Sequence, residues 1–343
     1  MNILVTGSAG FIGGYLVAEL LEAGHHVFGV DNFSKYGHIE KSYKNNPKYT
    51  FVNGDCKDAA LLTGLAVKCD HVIACAAKIG GISYFHEYAY DLMSENERIV
   101  AATFDAAIAG HKAGKVKKIT VLSSSMVFEN GTIFPTPEGH QLNCPPPHST
   151  YGFQKLACEY FAKGAWEQYK LPYTICRPFN CVGIGERRAL GDKEVASGNV
   201  KLAMSHVVPD LVQKIIKGQK PLHILGSGKQ VRCYTYGGDL AKGIVKSIFH
   251  PAAENQDFNL STPVATDVIE LAKLIWTKIH GAGPGAPPFE YVSDPPYPHD
   301  VQMRVPDVSK AERVLGYKAQ TSLSEVLDEV IPWIRQEIAL GRV

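Results

Sequence analysis

The chain has 343 residues, 45% of them hydrophobic and 20% charged, a composition that suits a folded globular protein and excludes a disordered one. At roughly 150 residues per domain, the length suits about two domains, or one large α/β unit with an appended lobe. Lys+Arg of 35 against Asp+Glu of 34 leaves a formal net charge of +1, so the overall charge points neither to nucleic acid nor to an anionic membrane surface.

Taken in chain order, Asn2–Thr6 is a short apolar run ending at glycine, the pattern of a buried strand. Phe11–Ala23 has helical spacing, with Ile12, Leu16, Leu20 and Ala23 on one face and Gly24 as its stop. His26–Val30, Phe51–Asn53 and His71–Ala76 read as further strands, the first ending at Asp31 and the second at Gly54-Asp55. Ala89–Gly110 reads as a long helix, Lys118–Ser123 as a strand, Tyr151–Lys170 as a helix and Tyr173–Arg177 as a strand. Strands alternating with helices predict a parallel sheet covered on both faces.

The pattern changes after about Gly183. Residues 184–200 are polar and read as a loop, Val207–Lys217 and Gly237–His250 as helices, and Asp257–Leu260 as a return strand. Residues 281–298 carry Pro284, Pro287, Pro288, Pro295, Pro296 and Pro298 among glycines and read as a loop within a smaller lobe. Ser322–Leu340 closes the chain as an amphipathic helix.

The cysteines (Cys56, Cys69, Cys75, Cys144, Cys158, Cys176, Cys181 and Cys233) form no Cys-x-x-Cys pair and are too sparse for a disulfide scaffold. Reduced thiols in a cytoplasmic protein without a metal site are expected. No apolar run approaches the ~18 residues of a membrane span, and the first Lys or Arg is Lys35, so the opening run reads as a strand and not as a targeting segment.

Thr6-Gly7-Ser8-Ala9-Gly10-Phe11-Ile12-Gly13 lies between the first strand and the first helix. In that context Gly7 permits the tight turn, Gly10 lets backbone approach a pyrophosphate, and Gly13 lets helix pack on strand, with the helix N-terminus facing the phosphates. Asp31, ending the second strand, is placed to accept the ribose hydroxyls of an adenosine and to repel a 2′-phosphate, which favours NAD over NADP. Asp55 is placed to contact the adenine, or simply to form a turn. Phe11, Ile12, Asn32, Cys56, Ala76 and Lys78 complete the expected cofactor-binding set, together with Tyr151 and Lys155.

Tyr151 and Lys155 stand one helical turn apart and therefore on one face. An ammonium beside a phenol favours the phenolate, making a base able to take a proton from a sugar hydroxyl as a hydride leaves its carbon. Ser123-Ser124-Ser125 ends the fifth predicted strand, and strand C-termini are where doubly wound sheets bind ligands.

Thr-Gly-x-x-Gly-Phe-Ile-Gly, the strand-end serines, Tyr-x-x-x-Lys and Arg177-Pro178-Phe179-Asn180 together resemble the extended short-chain dehydrogenase/reductases, and within them the NAD-dependent nucleotide-sugar epimerases and dehydratases. The resemblance runs from Asn2 to about Trp333 and includes Gly226-x-Gly228-x-Gln230-x-Arg232 and Pro306-Asp307-Val308-Ser309-Lys310-Ala311. It implies an α/β fold, a doubly wound parallel Rossmann sheet with a smaller C-terminal α/β substrate lobe. Residues 1–182, completed by about 232–262, would bind NAD, and 183–231 with 263–343 would bind the substrate. It implies that Tyr151 is the base, that Lys155 tunes it and holds the nicotinamide ribose, and that Ser124 fills the catalytic Ser/Thr position. Asn180 and Arg232 match residues that hold the substrate's phosphates. A homodimer through helices such as Ala89–Gly110 and Tyr151–Lys170 is also implied.

Departures narrow the reaction. The 4,6-dehydratases of the family carry an Asp-Glu pair where this chain has Ser125 and Met126; decarboxylases carry a glutamate, and fucose-synthase-like enzymes a cysteine, at the position of Met126. Methionine shuttles no proton, so it reads as a residue packed under the substrate. Two segments point elsewhere: Ala77-Lys78-Ile79-Gly80-Gly81-Ile82 resembles a loop of fucose synthases and of GDP-mannose 3,5-epimerases, and Ser205-His206-Val207 resembles the segment that supplies an acid histidine. His206 is thus an acid, a hydrogen-bonding group for substrate beside Val207, or a helix cap. Tyr297 replaces an arginine that often holds the pyrophosphate, which weakens the case for UDP. Arg304 matches the position that gates sugar size, and suits a phosphate or a uronate carboxylate. The expected activity is a nucleotide-sugar 4-epimerase. The alternatives are a 4-dehydrogenase or ketoreductase and a 3,5-epimerase of a GDP-sugar; an idle NAD-binding scaffold has no need of a tuned phenol.

Overall fold

A strand buried on both faces must be apolar at every position, and the central strands meet that demand: Ile3, Leu4, Val5, Val72 and Ile73 are all fully buried. The structure is a computed structural model that describes residues 1–80, 87–187, 189–190, 194–202, 206–297 and 300–343. Gly81, Ile82, Ser205 and Pro298, named above, lie outside the described residues.

The main sheet has seven strands in the order Gln256–Leu260, Tyr173–Pro178, Lys118–Leu122, His71–Ala74, Asn2–Thr6, His26–Asp31 and Tyr49–Asn53, each parallel to its neighbours. Side chains alternate between the two faces. Ile3 and Val5 pack with Leu16, Leu20, Leu240 and Ile244 from helices Phe11–Glu22 and Gly237–Phe249. Leu4 and Val72 pack on the other face with Leu62, Phe104, Ala107 and Cys158 from helices Ala59–Ala66, Ala89–Lys112 and Thr150–Tyr169. Each fully buried aliphatic or aromatic side chain of this kind stabilises the fold by roughly 1.5–3 kcal/mol. Chain order reverses between Asn2–Thr6 and His71–Ala74, so the crevice outside their carboxyl ends is where such a sheet takes its ligand.

A second core joins helices Val207–Ile216, Val268–His280 and Leu323–Ala339 through Val208, Val212, Leu271, Ile275, Val330 and Ile334. Capping boxes start two of these helices, Asp267 with Glu270 and Ser322 with Glu325. Between the last two of these helices the chain returns to the main sheet, where Ala311, Leu315 and Tyr317 join the first core.

Two expectations are corrected here. Residues 184–200 are not wholly a loop: Val195–Ser197 and Val200–Leu202 form an antiparallel hairpin that turns at Gly198, whose φ of +55° favours glycine. The proline-rich 281–298 segment contains the strand Tyr291–Asp294, which runs parallel to Leu222–Leu225. The pairing is supplied from far along the chain, and the prolines flank the strand without interrupting it.

Beneath the carboxyl ends of the sheet lies a buried charge network. Arg177 donates from Nε and Nη2 to the two carboxylate oxygens of Glu159, at 2.7 and 2.8 Å. Its Nη1 is 2.7 Å from Asp257, which also pairs with Lys310 at 2.8 Å. Ser123 donates to Glu159 at 2.6 Å. Among the strand-end serines this anchors Ser123 to the core and leaves Ser124 at the crevice.

Candidate active site

At the crevice, the local chemistry of the first turn decides what fits. Gly7 has φ of +72°, and a Cβ there would lie 2.7 Å from Cα of Ala76. A Cβ on Gly13 would lie 2.1 Å from the carbonyl oxygen of Gly7. Both positions are therefore restricted to glycine, one by backbone conformation and contact, the other by the closeness of helix to turn. Helix Phe11–Glu22 starts at Gly10 with no side-chain cap, which leaves its first N–H groups facing the crevice. That end suits an anion.

A cleft of about 810 Å³ begins here and continues between the main sheet and the second core. The residues expected from the sequence all line it. Gly7, Gly10, Phe11, Ile12, Gly13, Asp31, Asn32, Asp55, Cys56, Ala76 and Lys78 line one arm; Ser124, Ser125, Met126, Tyr151 and Lys155 line the middle; Asn180, His206, Val207, Arg232 and Arg304 line the other arm.

In the first arm, Asp31 accepts the Ala9 N–H at 3.0 Å on Oδ2 and the Phe33 N–H at 2.8 Å on Oδ1. These bonds orient the carboxylate, and its further lone pairs remain able to accept. Asp55 Oδ1 accepts the Lys57 N–H at 2.9 Å, a turn of the kind its sequence context allows. Thr6 accepts the N–H groups of Cys75 and Ala76 at 3.1 and 3.2 Å and so ties the first strand to the wall opposite. Lys78 is fixed through its backbone, its N–H donating to Asn96 at 2.6 Å. A glycine cradle that admits no Cβ, a helix start without a cap and an oriented carboxylate form a donor set that fits a dinucleotide.

In the middle, Lys155 donates to the Leu122 carbonyl at 2.9 Å, and its Nζ lies 5.9 Å from the centre of the Tyr151 ring. Tyr151 and Met126 are buried together with Leu92, which agrees with a packing role for the methionine. Ser124 Oγ accepts the Met126 N–H at 3.2 Å, which directs the hydroxyl proton elsewhere. The helix carrying Tyr151 and Lys155 is capped by Ser149, which donates in turn to Glu129 at 2.9 Å.

The second arm is rich in charge. Arg232 and Arg304 stand opposite each other on the paired strands Val231–Arg232 and Met303–Arg304. Arg232 donates to Asp300 at 3.3 Å and to the Val231 carbonyl at 2.9 Å. Burial and then the charge of Arg232 push Arg304 down to about 9. Arg232 repels Arg304 while Asp300 and Glu129 oppose that repulsion, and an anion between the two guanidinium groups would relieve it further. His206 begins helix Val207–Ile216 without a side-chain cap bond, and its Nδ1 pairs with the buried Glu186.

Sequence reasoning passed over Glu129, Asp210, Lys214, Tyr234 and Asp300, which line the same cleft. Some of the buried polar atoms without a hydrogen-bond partner line it: Thr150 Oγ1, Asn180 Nδ2, Asp210 Oδ1, Gln230 Oε1 and Tyr234 Oη. Orphaned buried groups are costly, and at a cleft wall a polar ligand can satisfy them. Asn180 adds a left-handed backbone, φ +39°, at the same wall. Spacing alone carried no signal for these positions, since single polar residues on helix and strand faces are ordinarily solvated.

Known proteins agree with this geometry. The sequence profile of the NAD dependent epimerase/dehydratase family matches residues 3–261. UDP-glucose 4-epimerase of Mycolicibacterium smegmatis is 30% identical over 341 residues, covering 98% of this chain and 99% of that protein. The crystal structure of UDP-glucose 4-epimerase with UDP-glucose from Thermotoga maritima is 29% identical, with a TM-score of 0.81 over 98% of this chain and 100% of that one. UDP-glucose 4-epimerase from Bifidobacterium longum, in complex with NAD+ and UDP, is 25% identical with a TM-score of 0.78, over 98% of this chain and 99% of that one. With a dinucleotide cradle at its first turn and the family's profile across most of its length, the chain belongs to the NAD dependent epimerase/dehydratase family.

Proposed function

We propose that the protein is an NAD-dependent nucleotide-sugar 4-epimerase. The observation that carries the reading is the middle of the cleft, where Ser124, Tyr151 and Lys155 meet between a dinucleotide cradle and a two-arginine anion site. The relatives named as UDP-glucose 4-epimerases support it.

NAD, held by the Gly7–Gly13 turn and Asp31, supplies an acceptor and donor for the hydrogen on the sugar carbon. The chain's own residues do the rest. Arg232 and Arg304 hold the diphosphate, with Asn180 offering its unpartnered amide. Tyr151 takes the proton of the 4-hydroxyl and later returns it to the inverted alcohol, so no proton is consumed overall. Lys155 stabilises the phenolate, and Ser124 donates its hydroxyl proton to the sugar oxygen. Met126 offers no proton, which removes the acid needed to expel a neighbouring hydroxyl.

The pairing of His206, which lines the cleft, with the buried Glu186 favours a second reading, epimerisation at C3 or C5, where a histidine would move a carbon-bound proton. One experiment separates the two: incubation with nucleotide sugars in D₂O, followed by NMR. A C4 epimer without deuterium supports the proposal. Deuterium at C3 or C5 supports the second reading, and stoichiometric reduction of added NAD overturns both in favour of a net dehydrogenase.

A further inference from the structure

The far end of the second arm holds a pair of charges that the reaction does not use. Asp210 and Lys214 lie one turn apart on helix Val207–Ile216 and both line the cleft. Lys214 is only 5% exposed, and its Nζ donates to the His223 carbonyl at 2.8 Å. Asp210 Oδ1 is buried with no hydrogen-bond partner. Val207, Leu211, Ile224 and Leu225 line the cleft with them beside His223, and the charges of Glu186 and Asp294 act on Asp210 and Lys214 respectively. A buried carboxylate oxygen without a hydrogen-bond partner is costly, and a donor from a ligand in the cleft would satisfy it.

Contacts order the groups along the cleft: Lys214 holds the His223 carbonyl, Gln230 holds the Leu225 carbonyl and Asp300, Asp300 pairs with Arg232, and Arg232 stands opposite Arg304, which feels the charge of Tyr151. If the sugar lies at Tyr151 and its diphosphate at Arg232 and Arg304, the base must lie beyond the arginines, against Asp210 and Lys214; this step rests on the function proposed above. We propose that this arm recognises guanine, making the substrate a guanosine diphosphate sugar.

The chemistry of the base edges selects guanine. A carboxylate only accepts, and two adjacent N–H donors satisfy both of its oxygens. Guanine alone among the common bases offers that pair, N1–H beside the 2-amino group, on one edge. Its O6 follows next along the edge, where an ammonium one helical turn from the carboxylate can donate. Uracil and thymine offer one N–H between two carbonyls, so the second carboxylate oxygen would face a lone pair. Adenine and cytosine set an amino group beside an acceptor nitrogen, with the same conflict. Burial, together with the nearby Glu186, pushes the Asp210 carboxyl up, and Lys214 opposes this. Two N–H donors would hold the group as a carboxylate.

The test is calorimetric titration of the NAD-loaded protein with GDP, IDP and UDP. IDP lacks only the 2-amino group. GDP is expected to bind about tenfold or more tighter than either IDP or UDP, the size of a hydrogen bond to a charged group. Asp210→Asn should bring GDP and IDP to within about twofold of each other, and Lys214→Met should weaken both about tenfold while keeping their ratio. NAD affinity and melting temperature report whether the variants fold, and the three-nucleotide comparison on the unaltered protein decides the matter without them. UDP binding as tightly as GDP, or IDP matching GDP, overturns the guanine assignment and leaves the epimerase reading standing. Failure of every diphosphate to bind overturns the nucleotide-sugar reading itself, and this proposal with it.

Discussion

Replacing Arg177 with methionine strands Glu159 in the interior without its counter-charge. Arg177 and Glu159 are both 0% exposed. Their two hydrogen bonds of 2.7 and 2.8 Å are short and bidentate. Asp257 keeps Lys310 at 2.8 Å after the change, so the orphan is Glu159, left with Ser123 and with Gln141 at 3.4 Å. The guanidinium also sits 5.2 Å from the centre of the Phe128 ring, a contact that is lost as well. Removing one partner of a buried pair costs about 3–5 kcal/mol, a large part of the ~5–15 kcal/mol that holds a typical protein folded. The pair itself is worth far less than that, because both charges must be desolvated. The double variant Arg177→Met with Glu159→Leu should therefore recover most of the loss and end within about 2 kcal/mol of the parent. Urea unfolding followed by tryptophan fluorescence, at unchanged m-value, measures both. A single variant costing under ~1 kcal/mol, or a double variant as unstable as the single, refutes the reasoning.

Gly13→Ala places a Cβ 2.1 Å from the Gly7 carbonyl oxygen and must open the turn; NAD affinity measured by calorimetry should fall about tenfold or more, and binding within twofold of the parent contradicts this. Tyr151→Phe should lower turnover by about 10²–10⁴ while NAD affinity stays within about threefold; full turnover removes the phenol from the mechanism. His71 is buried beside Thr120 at 2.9 Å, and burial pushes it down to about 3. The unfolded chain then binds one more proton than the native state between about pH 3 and 6.5, so stability falls as the pH drops below 6.5. His71 accounts for about 2 kcal/mol of loss between pH 6.5 and 5, and His71→Gln should show a correspondingly shallower decline in urea titrations across that range.

Much of the fold is legible in the sequence because a doubly wound sheet writes itself locally. Ile3-Leu4-Val5 and Val72-Ile73 are apolar at every position because both faces are covered, and Gly7 marks the exit of the first strand. Gly7, Gly13, Asp31, Ser124, Tyr151 and Lys155 stand out because strand ends and one helical turn gather them at the same crevice. The strand Tyr291–Asp294 is not legible, since its partner Leu222–Leu225 lies far away and the flanking prolines speak for a loop. Helix Val268–His280 is marked in the sequence by its Asp267–Glu270 box, a signal not used in assigning the elements. Asp210 and Lys214 look like the solvated face of an amphipathic helix until the packing of the second core turns that face toward the cleft.

The central claim is that the hydrogen removed from the sugar returns to the same carbon on its opposite face. It is tested most directly with a nucleotide hexose carrying deuterium at C4, incubated with the NAD-loaded protein and read by NMR. The account predicts the C4 epimer with the deuterium retained at C4. An epimer that has lost the label, or deuterium found on released cofactor, contradicts it.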